Sequence, residues 1–250
     1  VTTLDEAPGR SPVPFVDFPE FMRHFKWQQG QHVINIGPNG CGKTVLNKRL
    51  ILYRDKRKGY MCFFGTKPFD DEIDALTRPP FRFMRVKDNH EWGPRSYRKL
   101  LLWPPAGDFE NLAHQRKIFR AALQGMWQRG KWTACLNELR YLTEHLRMRQ
   151  EMNTLYLQAR SAKFSLTAET QRPRYVPLEA FSQASHCFFF ACRDDEDLKR
   201  ISGIGNADPK LIRAVVVQLK QYETCYVNAI TGEVVRTKAT PFKIQASKAA

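Results

Sequence analysis

The chain has 250 residues, 42% of them hydrophobic, which suits one α/β domain with a sizeable core. Its 40 Lys and Arg against 25 Asp and Glu leave a net charge of +15, which favours a polyanionic partner, nucleic acid first. No apolar run approaches the ~20 residues of a membrane helix, the first 20 residues lack the apolar block of a secretory signal, and the six cysteines show no C-x-x-C spacing. A membrane span, a zinc site and a disulfide frame are therefore not expected, and a reducing, cytoplasmic setting is.

Residues 1–26 are rich in proline and read as an extended strap, pinned by Phe15, Phe18 and Phe21, with a short helix over 21–27. The body is expected over 27–236 and a flexible tail over 237–250. Within the body, 32–36 reads as a buried strand, 37–44 as a glycine loop and 45–55 as a helix stopped by Lys56-Arg57-Lys58-Gly59. A strand at 60–66 follows, then a helix opening at Asp70-Asp71-Glu72, a short strand over 81–86 and a charged loop over 87–98. Further on come a strand at 100–103, a helix over 108–128, a strand at 131–136 and one long charged helix over 139–160. The remainder reads as strand 164–170, helix 177–184, strand 186–192, helices 194–201 and 208–219, and a terminal strand or hairpin closed at Thr231-Gly232. Strands alternating with helices predict a mostly parallel sheet covered on both faces.

Gly37-Pro38-Asn39-Gly40-Cys41-Gly42-Lys43-Thr44 matches the phosphate-loop pattern G-x-x-x-x-G-K-[ST]. Between a strand and a helix N-terminus, such a loop makes a nest of backbone N–H groups suited to the triphosphate of ATP. Lys43 is expected on the outer phosphates and the Thr44 hydroxyl on Mg²⁺. ATP chemistry needs a second element, an acidic pair at the tip of a later strand. Trp132 to Glu138 supplies it, with Glu138 placed to polarise water and Asn137 standing where Asp is expected for the metal. An amide keeps the shape but not the charge, so support for Mg²⁺ weakens. Either this residue is a change that slows hydrolysis, or the enzyme tolerates it with Glu138 and the phosphates holding the metal. The third element is Gln171, at the tip of strand 164–170, whose amide both donates and accepts beside a γ-phosphate. The six histidines are dispersed, and no metal role is assigned to them.

The order GPNGCGKT, FFGTKPFDDEI, WTACLNELRYL and LQARSAKFSLTAETQRP resembles the FtsK–HerA superfamily of DNA-pumping P-loop ATPases, over roughly residues 27–230. It is most similar to the phage and plasmid branch, which includes viral genome-packaging ATPases. The resemblance implies a RecA-like (ASCE) core and a homo-oligomeric ring, pentamer or hexamer, that moves double-stranded DNA. A viral portal or procapsid is the implied further partner, and host cytoplasm the setting. It places Gly37, Gly42, Lys43 and Thr44 on phosphate and metal, Asn137 at the metal side, Glu138 on the water and Gln171 as γ-phosphate sensor. It also implies an arginine donated by a neighbouring subunit, with Arg160 the first choice and Arg149 and Arg174 behind it. For DNA contacts the loop 87–99, with Lys87, Arg95, Arg98 and Lys99, and the segment 199–205 are candidates.

A rival reading keeps the nucleotide and drops the motor: an assembly or export protein that binds ATP with little hydrolysis, Asn137 being natural. A small-molecule kinase is disfavoured, because no basic lid is evident and Glu138 with Gln171 suits water better than an acceptor hydroxyl.

Overall fold

The computed structural model describes residues 13–67, 69–86, 97–103 and 111–241. Most of the expected loop 87–98 lies outside them, as do residues 1–12 of the strap and 242–250 of the tail. Among the described residues there are nine strands: β1 (His32–Ile36), β2 (Tyr60–Phe64), β3 (Met84–Val86), β4 (Lys99–Leu102), β5 (Trp132–Leu136), β6 (Ser165–Thr170), β7 (Ala184–Phe189), β8 (Glu223–Asn228) and β9 (Val234–Lys238). The helices are α1 (Phe18–His24), α2 (Lys43–Lys56), α3 (Asp71–Asp74), α4 (Leu112–Arg129), α5 (Arg149–Gln158), α6 (Leu178–Ser182), α7 (Asp195–Ser202) and α8 (Pro209–Val216). One sheet holds all nine strands in the order β3-β4-β2-β5-β6-β1-β7-β8-β9. Pairing is parallel from β3 to β7, and β8 and β9 add an antiparallel edge. The expected α/β class with a mostly parallel central sheet holds.

β1, β5, β6 and β7 are buried at every position, as strands covered on both faces must be. Alternate residues feed two cores. Ile34 and Ile36 of β1 join Phe119 of α4, Leu155 of α5 and Ile212 of α8, while Val33 faces Leu46 and Leu50 of α2. The α2 face also carries a polar stripe. Leu166 and Ala168 of β6 turn toward the first core, so Ser165, Thr167 and Glu169 lie under α2. Arg54 of α2 reaches this stripe at Ser165 Oγ, 3.2 Å away. A helix that meets polar residues below it has little reason to be amphipathic, and α2 buries Asn47, Lys48 and Arg54 beside its leucines.

The expected single helix over 139–160 is in fact two pieces. A π-helical turn spans Tyr141–His145, Arg147 adopts a φ of 51°, and α5 starts afresh at Arg149. The cause is a phase jump. Leu139, Leu142 and Leu146 are buried at helical spacing, and so are Met148, Met152 and Leu155. The step of two between Leu146 and Met148 puts them on opposite sides of any continuous helix, so the chain must break to bury both.

The strap contains α1, and Phe18 and Phe21 are buried against Phe188 and Tyr226 as expected. Phe15 is not an anchor: it is 46% exposed beside β9, and Phe25 fills the third position instead. β9 runs on to Lys238, with Thr237 and Ala239 buried. Five cysteines are buried, Cys192 is half-buried, and all six are free thiols.

Candidate nucleotide-binding site

β1 ends under the loop 37–44, and parallel pairing brings the C-terminal tips of β2, β5 and β6 to the same edge. In open parallel sheets that edge is where ligands sit. A cavity of about 290 Å³ opens there, lined by Gly42, Lys43 and Thr44 from the loop, Asn137 and Glu138 beyond β5, and Gln171 beyond β6. Asn39 and Gly40 also line it. The residues read from the three separate motifs are thus brought together, while Pro38 is exposed and Cys41 is buried behind the loop.

The loop is built for close approach of backbone. Gly42 caps α2 with φ 115°, and a Cβ there would meet Tyr222 Cδ1 at 2.7 Å. A Cβ on Gly37 would lie 2.5 Å from Phe190 Cβ. Helix α2 has no side-chain cap and no acidic residue in its first turn, so its leading N–H groups and positive end are left for an anion. Lys43, 8% exposed, donates Nζ to the carbonyls of Gly37 at 2.7 Å and Pro38 at 2.8 Å. The α8–β8 turn braces the loop from outside: Tyr222 N–H donates to Cys41 O (2.9 Å) and Gln221 Nε2 to Gly40 O (3.2 Å).

Glu138 is half-buried, and that burial pushes its carboxyl above the usual range, against the pull of the Arg140 N–H, Lys43 and Lys67. A raised carboxyl accepts a proton more readily, which suits a general base. A second carboxylate was not foreseen. Glu169, 2% exposed, lines the same cavity and accepts from Asn47 Nδ2 at 2.6 Å. Burial pushes its carboxyl up to about 7, with Lys43 pulling the other way. Lys67 at the tip of β2, Asp70 as the cap of α3, and Glu72 paired with Lys48 complete the wall. The sequence signal for Glu169 was a lone acid in a strand that is otherwise buried. Asn47 was marked by its polarity one turn beyond Lys43.

The arginine candidates lie elsewhere. Arg160 is exposed, and its carbonyl packs 3.1 Å from where a Gly30 Cβ would be, before β1 begins. It therefore sits at the opposite, N-terminal edge of the sheet. There it lines a second cavity of about 770 Å³ with Arg174, Lys199 and Arg200. Arg174 pairs with Glu196, and Arg149 with Glu144. Of the DNA candidates, Lys99 and Arg98 face Asp55 at 2.7 and 3.6 Å, and Lys87 and Arg95 lie outside the described residues.

Among the described residues no three His, Cys, Asp or Glu side chains are arranged to hold a metal by themselves. The donor set still fits Mg²⁺ bound with a nucleotide, an ion that keeps its waters and takes phosphate oxygens with one or two protein groups. Thr44, Glu138 and Glu169 are hard oxygen donors in one cavity, and Asn137 Nδ2 and Asn47 Oδ1 are buried without partners beside them. No described helix is long and apolar enough to cross a membrane.

No family model matches the sequence, and no curated protein does. Solved structures do match. The genome packaging NTPase B204 from Sulfolobus turreted icosahedral virus 2, solved with AMPPCP, aligns with TM-score 0.62 and 15% identity over 86% of this chain and 99% of that one. B204, the DNA-packaging ATPase from Sulfolobus turreted icosahedral virus, gives 0.61 and 19% over 86% and 100%. The cytoplasmic domain of the Thermomonospora curvata type VII secretion ATPase EccC gives 0.56 and 14% over 86% of this chain but 26% of that one. With these neighbours, and a loop strand separated from the acidic strand by the strand that leads to Gln171, the chain has the α/β fold shared by these P-loop packaging and secretion ATPases.

Proposed function

We propose that this chain is an ATPase that drives double-stranded DNA, working as a homo-oligomeric ring in viral genome packaging. The observation that carries the reading is the convergence of loop 37–44, Glu138 and Gln171 on one cavity. The net charge of +15 supports a polyanionic track, and the likeness to two packaging ATPases supports the viral role.

The leading N–H groups of α2 and Lys43 Nζ bind and orient the triphosphate. Glu138 takes a proton from the attacking water, and its raised affinity for protons suits that step. Gln171 holds the water or the γ-phosphate by its amide and passes the loss of that phosphate to β6. Thr44 and the carboxylates of the cavity would hold Mg²⁺, which would offset charge on the outer phosphates. An arginine from a neighbouring copy, Arg160 first, completes the charge balance.

The test is the ATPase rate with and without duplex DNA, for this chain and for Asn137→Asp in parallel. A motor hydrolyses faster with DNA in at least one of the two. Two proteins that bind ATP yet turn over nothing under either condition would count against it. Asn137 and the likeness to a secretion ATPase favour one second reading, an ATP-binding assembly or export protein. It predicts a change of oligomeric state on ATP without turnover.

A further inference from the structure

Strand pairing sets Glu169 beside Asn35 of β1, and one step past the last β5–β6 pair, Leu136 with Ala168, it sets Glu169 beside Asn137. Both side chains fall on the α2 face, since Leu136 and Ala168 turn to the other core. β6 lies between β5 and β1, so Glu169 is one strand nearer to the phosphate loop than Asn137 is. The position where a metal-side carboxylate is expected is neutral, and its neighbour, closer to Lys43, is acidic.

The surroundings point to a ligand as well. Glu169 is 2% exposed and, among the described residues, has no salt-bridge partner within 4 Å. Its hydrogen bond comes from Asn47, a neutral donor. Burying a carboxylate that way is costly unless a counter-charge arrives. Around it Asn47 Oδ1, Asn137 Nδ2 and both amide atoms of Asn35 are buried and unpartnered, and Asn47 and Asn137 line the cavity. Lys43 and Lys67 act on Glu169 only from a distance, so the cluster lacks a directly paired cation and hydrogen-bond partners at once, and a hydrated divalent cation supplies both.

We propose that Glu169 replaces the missing Asp at position 137 as the carboxylate facing the nucleotide-bound divalent cation, with Asn47 fixing its orientation. The inference rests on loop 37–44 binding a triphosphate. It makes Asn137 a relocated charge, not a lost one.

The competing role is structural: Glu169 only clamps α2 to the sheet through Asn47. Glu169→Gln separates the two, because a Gln oxygen still accepts from Asn47 Nδ2 while the charge is gone. The probe is Mn²⁺ with AMPPCP, free Mn²⁺ being followed by electron paramagnetic resonance, for the unmodified chain, Glu169→Gln, Asn137→Asp and the double variant. AMPPCP affinity in EDTA is measured beside it. We expect Glu169→Gln to weaken Mn²⁺ in the ternary complex by about tenfold or more. Its EDTA affinity should stay within about twofold of the unmodified chain. Adding Asn137→Asp should restore most of the Mn²⁺ affinity. Equal Mn²⁺ affinity in Glu169→Gln and the unmodified chain overturns the inference and leaves the ATPase reading standing. So does a double variant as weak as Glu169→Gln. If the unmodified chain binds no AMPPCP at all, both fall.

Discussion

Acid should unfold this protein through two buried imidazoles. Burial holds His32 and His186 down at about 4, from an ordinary 6.5, with Arg160 acting further on the first and Arg54 on the second. The hydrogen bonds name the tautomers. His32 Nδ1 accepts from the Leu166 N–H at 3.1 Å, so the proton is on Nε2. His186 sits between Tyr226 Oη at 2.8 Å and the Gln31 side-chain oxygen at 3.0 Å, so Nε2 donates to Gln31 and Nδ1 accepts from the phenol. The sign follows from proton counting: between pH 6.5 and about 4 the unfolded chain binds more protons than the fold. The stabilisation is complete above 6.5 and is lost as pH falls toward 4. At pH 5 that loss is about 2 kcal/mol for each ring. Glu169 works the other way. Its carboxyl is raised to about 7, so protonation below that favours the fold and offsets roughly one ring. The assay is urea unfolding at pH 7.5 and 5.0 for the parent and for His32→Asn with His186→Gln. Asn presents an oxygen where Nδ1 stood, and Gln presents an amide toward Gln31. The double variant should lose about 4 kcal/mol less than its parent on going to pH 5. The same loss in both would refute the burial argument.

Three further outcomes are expected. Glu138→Gln should lower kcat by about 10²–10⁴ while nucleotide still binds, and a rate within severalfold of the parent in a steady-state assay would remove Glu138 from the chemistry. Gly42→Ala sets a Cβ 2.7 Å from Tyr222 Cδ1 at φ 115°, so urea unfolding should show a loss of about 1–3 kcal/mol, with weaker ATP binding in a fluorescent-nucleotide titration. Phe21→Ala should cost about 3–5 kcal/mol by the same unfolding assay, since the ring lies 4.9 Å from Tyr226 and 5.4 Å from Phe25, and a change under about 1 kcal/mol would mean that α1 is no part of the core.

The strands were readable because a sheet covered on both faces makes continuous apolar runs, and Val33-Ile34, Met61 to Phe64 and Phe188-Phe189 are such runs. Lys43 was readable from the spacing of its glycine loop, and Glu138 and Gln171 because each stands just past a strand tip. Glu169 was not, because its meaning depends on which strand lies beside β6. SLTAET carries no mark that its fifth residue will face a helix start and a neighbour's Asn. Tyr222 was hidden for the same reason: it braces the loop through pairing of β7 with β8, more than 170 residues after Gly42. The break at Leu146–Met148 was present in the letters as a two-residue apolar step, but the charge along 139–160 reads as a wet helix face and masks it.

The two cavities also bear on how hydrolysis would be completed. Loop 37–44 lies past the C-terminal end of β1 and Arg160 lies before its start, at Gly30. Five residues of strand separate them, about 16 Å of rise before either loop is counted. One arginine side chain does not span the sheet, and no described element carries Arg160 toward its own phosphate loop. Any part for Arg160 in hydrolysis therefore requires a second copy whose phosphate-loop edge meets the N-terminal edge of the first. Such a contact joins two different surfaces; repeated, it makes a ring where the rotation closes and an open filament where it does not. Under the proposed ring, Arg160 can therefore serve only a neighbouring copy's phosphate loop, and Arg160→Ala should lower the ATPase rate only where copies assemble.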